Sequence, residues 1–225
     1  MEPFDSTSPW LKVDLQTWDH LVRPQYLTSF DAGAVIFWQS QINQFVYIVK
    51  SGRVMMRVLS RDGKEKIMMF AEKGGIFGET SIIEGYPEQY TAVALVDCRL
   101  YKIPAEVFLE RLWNDTKINR AVMTILSRKA NLHFNQVLGL TFGDIRYRVA
   151  NVMLYLVRMY GKTEPDGILI DVPFTHQDMA DLIKSSRVSV SKVLHEFLDK
   201  GIIKKMNRRY VICDLDSIEN IEKLI

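Results

Sequence analysis

The run from Thr175 to Leu194 constrains this chain most, because it reads as two short helices joined by the turn Lys184-Ser185-Ser186. Thr175 followed by Asp178 is a capping-box variant, in which hydroxyl and carboxylate each satisfy an N–H that a helix start leaves open. Met179, Ala180, Leu182 and Ile183 give the first helix an apolar side, and Ala180 is small enough to let a second helix cross closely. In the second helix Val190, Val193, Leu194 and Phe197 recur at helical spacing and face inward. Arg187, Val188, Ser191 and Lys192 are left on the outer face near its N-terminal end. A recognition helix carries its base-reading side chains there. The same pattern also fits an amphipathic hairpin in any helical bundle, so the surrounding chain has to decide.

Charge supports the first reading. The chain has 225 residues, enough for one or two domains, and a net charge of only +2. Between Lys184 and Arg209, however, eight basic residues stand against Glu196 and Asp199, a local balance of +6. Such a patch suits a phosphate backbone. Cys98 and Cys213 lie far apart with no metal-ligand spacing, which suits a reducing, cytoplasmic setting. The first residues include Glu2 and Asp5 and no apolar run, so no signal peptide or membrane span is expected.

Upstream, Leu11, Leu15, Trp18, Leu21 and Val22 predict a short amphipathic helix. From Tyr26 to Ile103 the texture becomes strand-like: Val35–Phe37, Val46–Val49, Val54–Val58, Ile67–Phe70, Ala92–Leu95 and Leu100–Ile103 are rich in β-formers. Asp62-Gly63 is a hairpin signal, and short strands at this turn spacing predict a sandwich or barrel. Gly74-Gly75-Ile76-Phe77-Gly78-Glu79-Thr80-Ser81 interrupts the pattern; its glycines free backbone N–H groups, and Thr80 and Ser81 are candidate caps of a short helix. After Pro104 comes a helix with Val107, Phe108, Leu109 and Leu112 inward, then a long one from Asn114 to about Leu138. Ile118, Val122, Ile125, Lys129, Leu132 and Gln136 form a 4-3 stripe on it, a candidate coiled-coil seam or a face packed on the chain's own sheet. Gly139 and Gly143 predict a break, and a helix from Asp144 to Tyr160 is expected to end on Gly161 as a C-cap. A strand over Ile168–Val172, the helix pair, and a basic hairpin around Met206-Asn207-Arg208 make a winged helix, with Lys204, Lys205, Arg208 and Arg209 placed for phosphates. No nucleophile elbow, P-loop or metal-spaced cluster points to an enzyme.

This order of parts, with Gly75-Ile76-Phe77-Gly78-Glu79, the run Ser185 to Leu194, and the Gly33 and Gly52 turns, resembles the CRP/FNR family of bacterial transcription regulators. The resemblance implies an α+β chain in three parts. These are a jelly-roll (double-stranded β-helix) sensor like a cyclic-nucleotide-binding domain over 1–113, a dimerisation helix and hinge over 114–142, and a winged helix-turn-helix over 143–225. It implies promoter DNA, a second copy through helix 115–138 and, for an activator, RNA polymerase as partners. Arg187, Val188 and Lys192 match positions that lie against base edges, Ser186, Ser189 and Thr175 look like phosphate contacts, and Ser191 shares the DNA-facing side. Arg187 can pair bidentately with guanine; Val188, where many relatives carry Glu, can only pack, as on a thymine methyl.

In the sensor, relatives that bind cyclic nucleotides hold the phosphate with an Arg-Ser or Arg-Thr pair. Glu84 to Thr91 contains no arginine, and Glu88 would repel a phosphate. An effector other than cyclic AMP is therefore expected, with no defined cofactor. Its candidate lining is Ile76, Phe77, Glu79, Tyr86, Tyr90, Thr91, His133 and Phe134; alternatively, those side chains simply fill the space.

Overall fold

The computed structural model describes residues 8–207 and 209–222 and divides, between Leu132 and His133, into two compact units. The first unit begins with β1 (Trp10–Leu11), β2 (Leu27–Phe30), β3 (Val35–Phe37), β4 (Phe45–Ser51), β5 (Val54–Leu59) and β6 (Glu65–Ala71). It continues through β7 (Ile76–Phe77), helix α1 (Glu79–Glu84), β8 (Thr91–Ala94), β9 (Cys98–Pro104) and α2 (Ala105–Asn114) into α3 (Thr116–Thr141). The strands form two sheets, ordered β1-β6-β5-β8-β3 and β2-β9-β4-β7. All pairings are antiparallel except β1 with β6. This is the expected jelly roll.

Side chains on β4 alternate between two cores, as a strand's period of two dictates. Tyr47 and Val49 point between the sheets, where Phe37, Phe77, Tyr90, Met56 and Leu100 are buried. Val46 and Ile48 point outward under Trp18, Leu21, Phe108 and Leu112. Ile118, Val122 and Ile125 of α3 complete that outer layer. Most of the predicted 4-3 stripe is thus consumed within the chain. Ile118, Val122 and Ile125 cover the β2-β9-β4-β7 sheet, and Leu132 enters the inner core.

Several boundaries differ from expectation for local reasons. Residues 11–22 form β1 and a single 3-10 turn, Leu15–Trp18, because Asp14 caps Gln16 and the Trp18 indole N–H donates to the Gly74 carbonyl (2.7 Å). The short β1, β2 and β7 carry too few residues to show a period and were not anticipated. Helix α1 is not capped by Thr80 or Ser81: Gly78 precedes it with φ +81°, and Ser81 bonds elsewhere. Helix α3 runs through Gly139 to Thr141, and Gly139 is buried because the Tyr147 ring lies 3.5 Å from where a Cβ would stand.

The second unit contains α4 (Ile145–Tyr160), β10 (Gly161–Glu164), β11 (Gly167–Ile170), α5 (His176–Ile183), α6 (Arg187–Asp199), β12 (Ile203–Met206), β13 (Arg209–Ile212) and α7 (Leu215–Glu222). Its sheet runs β10-β11-β13-β12. Val152, Met153 and Leu156 of α4 are buried, as are Met179 and Ala180 of α5 and Val190, Val193, Leu194 and Phe197 of α6. Gly161 ends α4 as its C-cap, as expected, but without a left-handed turn. It opens β10 in extended conformation, and a Cβ there would stand 2.3 Å from the Val157 carbonyl oxygen.

Gly74 is the tightest backbone approach in the sensor: φ is +78°, and a Cβ would fall 1.8 Å from the Val13 carbonyl oxygen. Gly74→Ala should therefore lower stability by about 3 kcal/mol, read as a depressed Tm in thermal unfolding followed by circular dichroism.

Candidate DNA interface and sensor interior

The helix pair is built as its sequence implies. Thr175 caps α5: its hydroxyl accepts from Asp178 N (3.0 Å), and Asp178 Oδ2 accepts from Thr175 N (2.8 Å). Ser186 caps α6, its hydroxyl accepting from Ser189 N (3.0 Å). The turn requires a left-handed residue, and Lys184 takes that role at φ +54°. Thr175, Ser186 and Ser189 are thus engaged in helix starts that aim backbone N–H groups outward.

The outer face of α6 opens onto a groove of about 740 Å³ lined by His176, Arg187, Val188, Ser191, Lys192 and His195, with Glu196, Asp199 and Lys200 at its far end. Arg187, Val188 and Lys192 are exposed, so the structure brings together the residues expected to read bases. His176 and His195 were not anticipated, although His195 stands at helical spacing from Ser191 and Lys192. His195 Nδ1 lies 2.7 Å from the Ser191 carbonyl oxygen, which makes it the protonated nitrogen and leaves Nε2 outward. His176 Nε2 lies 2.7 Å from the Tyr210 hydroxyl, tying α5 to the hairpin. Burial, then the charges of Lys205, Arg187 and His195, hold the His176 pKa below its ordinary value. Glu196 is kept below the usual carboxylate range, first by its hydrogen bond from Lys200; with Arg146 (2.6 Å) it also links α6 to α4.

The wing cations separate by strand alternation. Lys205 pairs in register with Tyr210, on the face of the hairpin that meets His176. Lys204 and Arg209 lie on the opposite face, ion-paired with Asp166 (3.4 Å) and with Asp171. Asp171 also pairs with Lys162 and is held below the usual carboxylate range, mainly by that hydrogen bond. Arg208 lies outside the described residues.

In the sensor, Phe77, Glu79, Tyr90 and Thr91 are buried. Phe37, Tyr47, Phe77 and Tyr90 pack against one another, Tyr47 and Phe77 stacked at 5.2 Å and Phe37 within 6.0 Å of the other three. Three expected lining residues do not join them. Ile76 faces the outer layer because it is the neighbour of Phe77 on a strand, Tyr86 is 67% exposed beyond the left-handed Gly85, and Phe134 is 62% exposed on α3. His133 is half-buried.

Two carboxylates inside the sensor are engaged by the chain's own side chains. Glu88, expected to face a ligand phosphate, is 3% exposed and accepts from the Ser81 hydroxyl (2.7 Å) and Asn43 Nδ2 (2.8 Å). Burial raises its pKa against those hydrogen bonds. Burial and Glu88 together push the Tyr47 hydroxyl up to about 12. Glu79 is fully buried and meets the Lys129 ammonium at 2.5 Å; Lys129 is 5% exposed and also donates to the Ile76 carbonyl (3.2 Å). In the sequence Lys129 is the one charged member of the 4-3 stripe. A lone charge on an inward helix face was the available signal that a carboxylate waits opposite.

A jelly-roll sensor, a long helix and a winged helix with an exposed basic recognition face define a DNA-binding transcription regulator. Comparison with known proteins agrees: residues 27–115 match the cyclic nucleotide-binding domain family, and residues 147–221 match the Crp-like helix-turn-helix domain. The chain belongs to the CRP/FNR family of transcription regulators. It is 24% identical over 190 residues to the CRP-like cAMP-activated global transcriptional regulator of Mycobacterium tuberculosis, covering 84% of this chain and 85% of that protein. It is 26% identical over 191 residues to the global nitrogen regulator of Synechococcus elongatus, covering 84% and 86%. Among solved structures, a CooA mutant from Carboxydothermus hydrogenoformans shares the fold with a TM-score of 0.77 at 22% identity, over 87% of each chain.

Glu88 yields a pH prediction. Its folded pKa lies above the unfolded value of about 4.3, so its favourable contribution is full below that value and is lost as pH rises through the folded pKa. Glu88→Gln should remove this dependence and raise Tm at neutral pH relative to the parent protein, with the two curves converging in acid. An unchanged difference across the range would assign Glu88 another role.

Proposed function

We propose that this chain works as a homodimer that places two α6 helices in successive major grooves of near-palindromic promoter DNA, about 34 Å apart. The observation that carries the DNA reading is the exposed set Arg187, Val188 and Lys192 on one groove, with Lys205 close enough for its charge to act on His176 in that groove's wall. The dimer reading rests on a second stripe of α3. Met123, Ser127, Ala130, Phe134, Val137 and Thr141 follow 4-3-4-3-4 spacing and are all exposed. That stripe is turned about 140° from the one packed on the sheet and has heptad form. A regulator that activates would also touch RNA polymerase. The relatives named above include a cAMP-activated regulator. For this chain, the mutually packed aromatic interior, the internally hydrogen-bonded Glu88 and the Lys129 ammonium on Glu79 Oε1 favour a sensor that takes no cyclic nucleotide.

Anisotropy titrations across a salt series test the DNA reading. Arg187→Ala should lose most discrimination between the preferred site and variants at its guanine, about 1–3 kcal/mol, while weak general binding persists. Lys205→Ala should weaken all sequences alike and reduce the salt slope by about one. Lys204→Ala, already paired with Asp166, should do less. Equal losses from both lysines would refute the assignment of wing faces. For the dimer, Phe134→Glu should shift sedimentation toward monomer; an unchanged dimer would place the seam elsewhere.

A further inference from the structure

The strongest unassigned feature is the Lys129–Glu79 pair. Its residues come from different elements, the long helix α3 and the first turn of α1. Both side chains are buried, the contact is 2.5 Å, and the second Glu79 oxygen has no hydrogen-bond partner. Such a pair stabilises little, because desolvation offsets most of the attraction, but it defines geometry sharply. Packing alone would be served by an apolar residue. The flanking residues Ile125 and Leu132 show what the pair holds: Ile125 lies in the outer layer and Leu132 in the interior cluster. Lys129 therefore sits where α3 passes from one core to the other. A register shift of one residue would swing its ammonium about 100° away from Glu79. The pair consequently sets both the height and the rotation of α3, and with them the direction in which the Met123–Thr141 stripe faces.

We propose that Lys129 is a built-in effector: its ammonium occupies Glu79 and fixes α3 on the sensor without a ligand, so that DNA binding requires no small molecule. Effector control works through differential affinity for two states. Here the differential contact is covalently part of the chain and always present, and the output follows the amount of protein. This rests on the reading of the chain as a DNA-binding regulator, so the test carries one measurement that does not involve DNA.

Lys129→Met alone strands a buried carboxylate and is a poor test. The double variant Lys129→Met/Glu79→Gln keeps the shapes and removes both charges. Native mass spectrometry first establishes that the purified parent protein is ligand-free. That protein should bind its preferred DNA fully, with an affinity changed by less than about twofold by millimolar cyclic AMP or cyclic GMP. The double variant should remain folded, bind DNA at least about tenfold more weakly, and show faster amide hydrogen exchange over residues 126–136. A parent protein that binds DNA only after cyclic AMP or cyclic GMP is added overturns the proposal. So does a double variant equal to the parent in affinity and exchange, which would reduce the pair to packing. Failure of the parent protein to bind any genomic fragment would strike the DNA reading itself, while the exchange comparison would still decide whether Lys129 fixes α3.

Discussion

A lysine ammonium enclosed in a β-sandwich must find an anion, and in this protein it finds Glu79. That requirement orders the sensor. Glu79 is delivered by the glycine-bounded step from β7 into α1, where Gly78 adopts a left-handed conformation that a side chain would resist. Lys129 is delivered by a helix whose neighbouring turns are already committed to the sheet through Val122, Ile125 and Leu132. The ion pair thus joins two elements far apart in sequence at a single rotation of α3.

The long helix consequently has two apolar faces with different uses. Ile118, Val122 and Ile125 close the outer core of the sensor, and the Met123–Thr141 stripe is left exposed. An exposed apolar seam of this length costs solubility unless it is covered, which is the physical basis of the proposed dimer. The winged unit shows a similar division of labour. Its cations are not one undifferentiated patch: Asp166 and Asp171 neutralise Lys204 and Arg209 on one side of the hairpin, while Lys205 adds to Arg187 and Lys192 on the other. Burial first, and then the charges of Lys205 and Arg187, hold the His176 pKa below its ordinary value, so both cations lie near one imidazole of the groove wall.

The family, the order of sensor, long helix and winged helix, and the exposure of Arg187, Val188 and Lys192 on the outer side of α6 were legible in the sequence, because each rests on local rules. Capping by Thr175, the Asp62-Gly63 turn and the inward spacing of α6 are settled within a few residues of chain. The tertiary structure decided what depends on partners distant in sequence. A 4-3 stripe looks the same whether a sheet or a second helix covers it, so only the fold assigned Ile118–Leu132 to the sensor. Glu88 next to a supposed phosphate site and Lys129 on an apolar stripe were both visible as anomalies. Their meaning required Ser81 and Asn43 in one case, and a carboxylate fifty positions away in the other, to be brought within hydrogen-bonding distance.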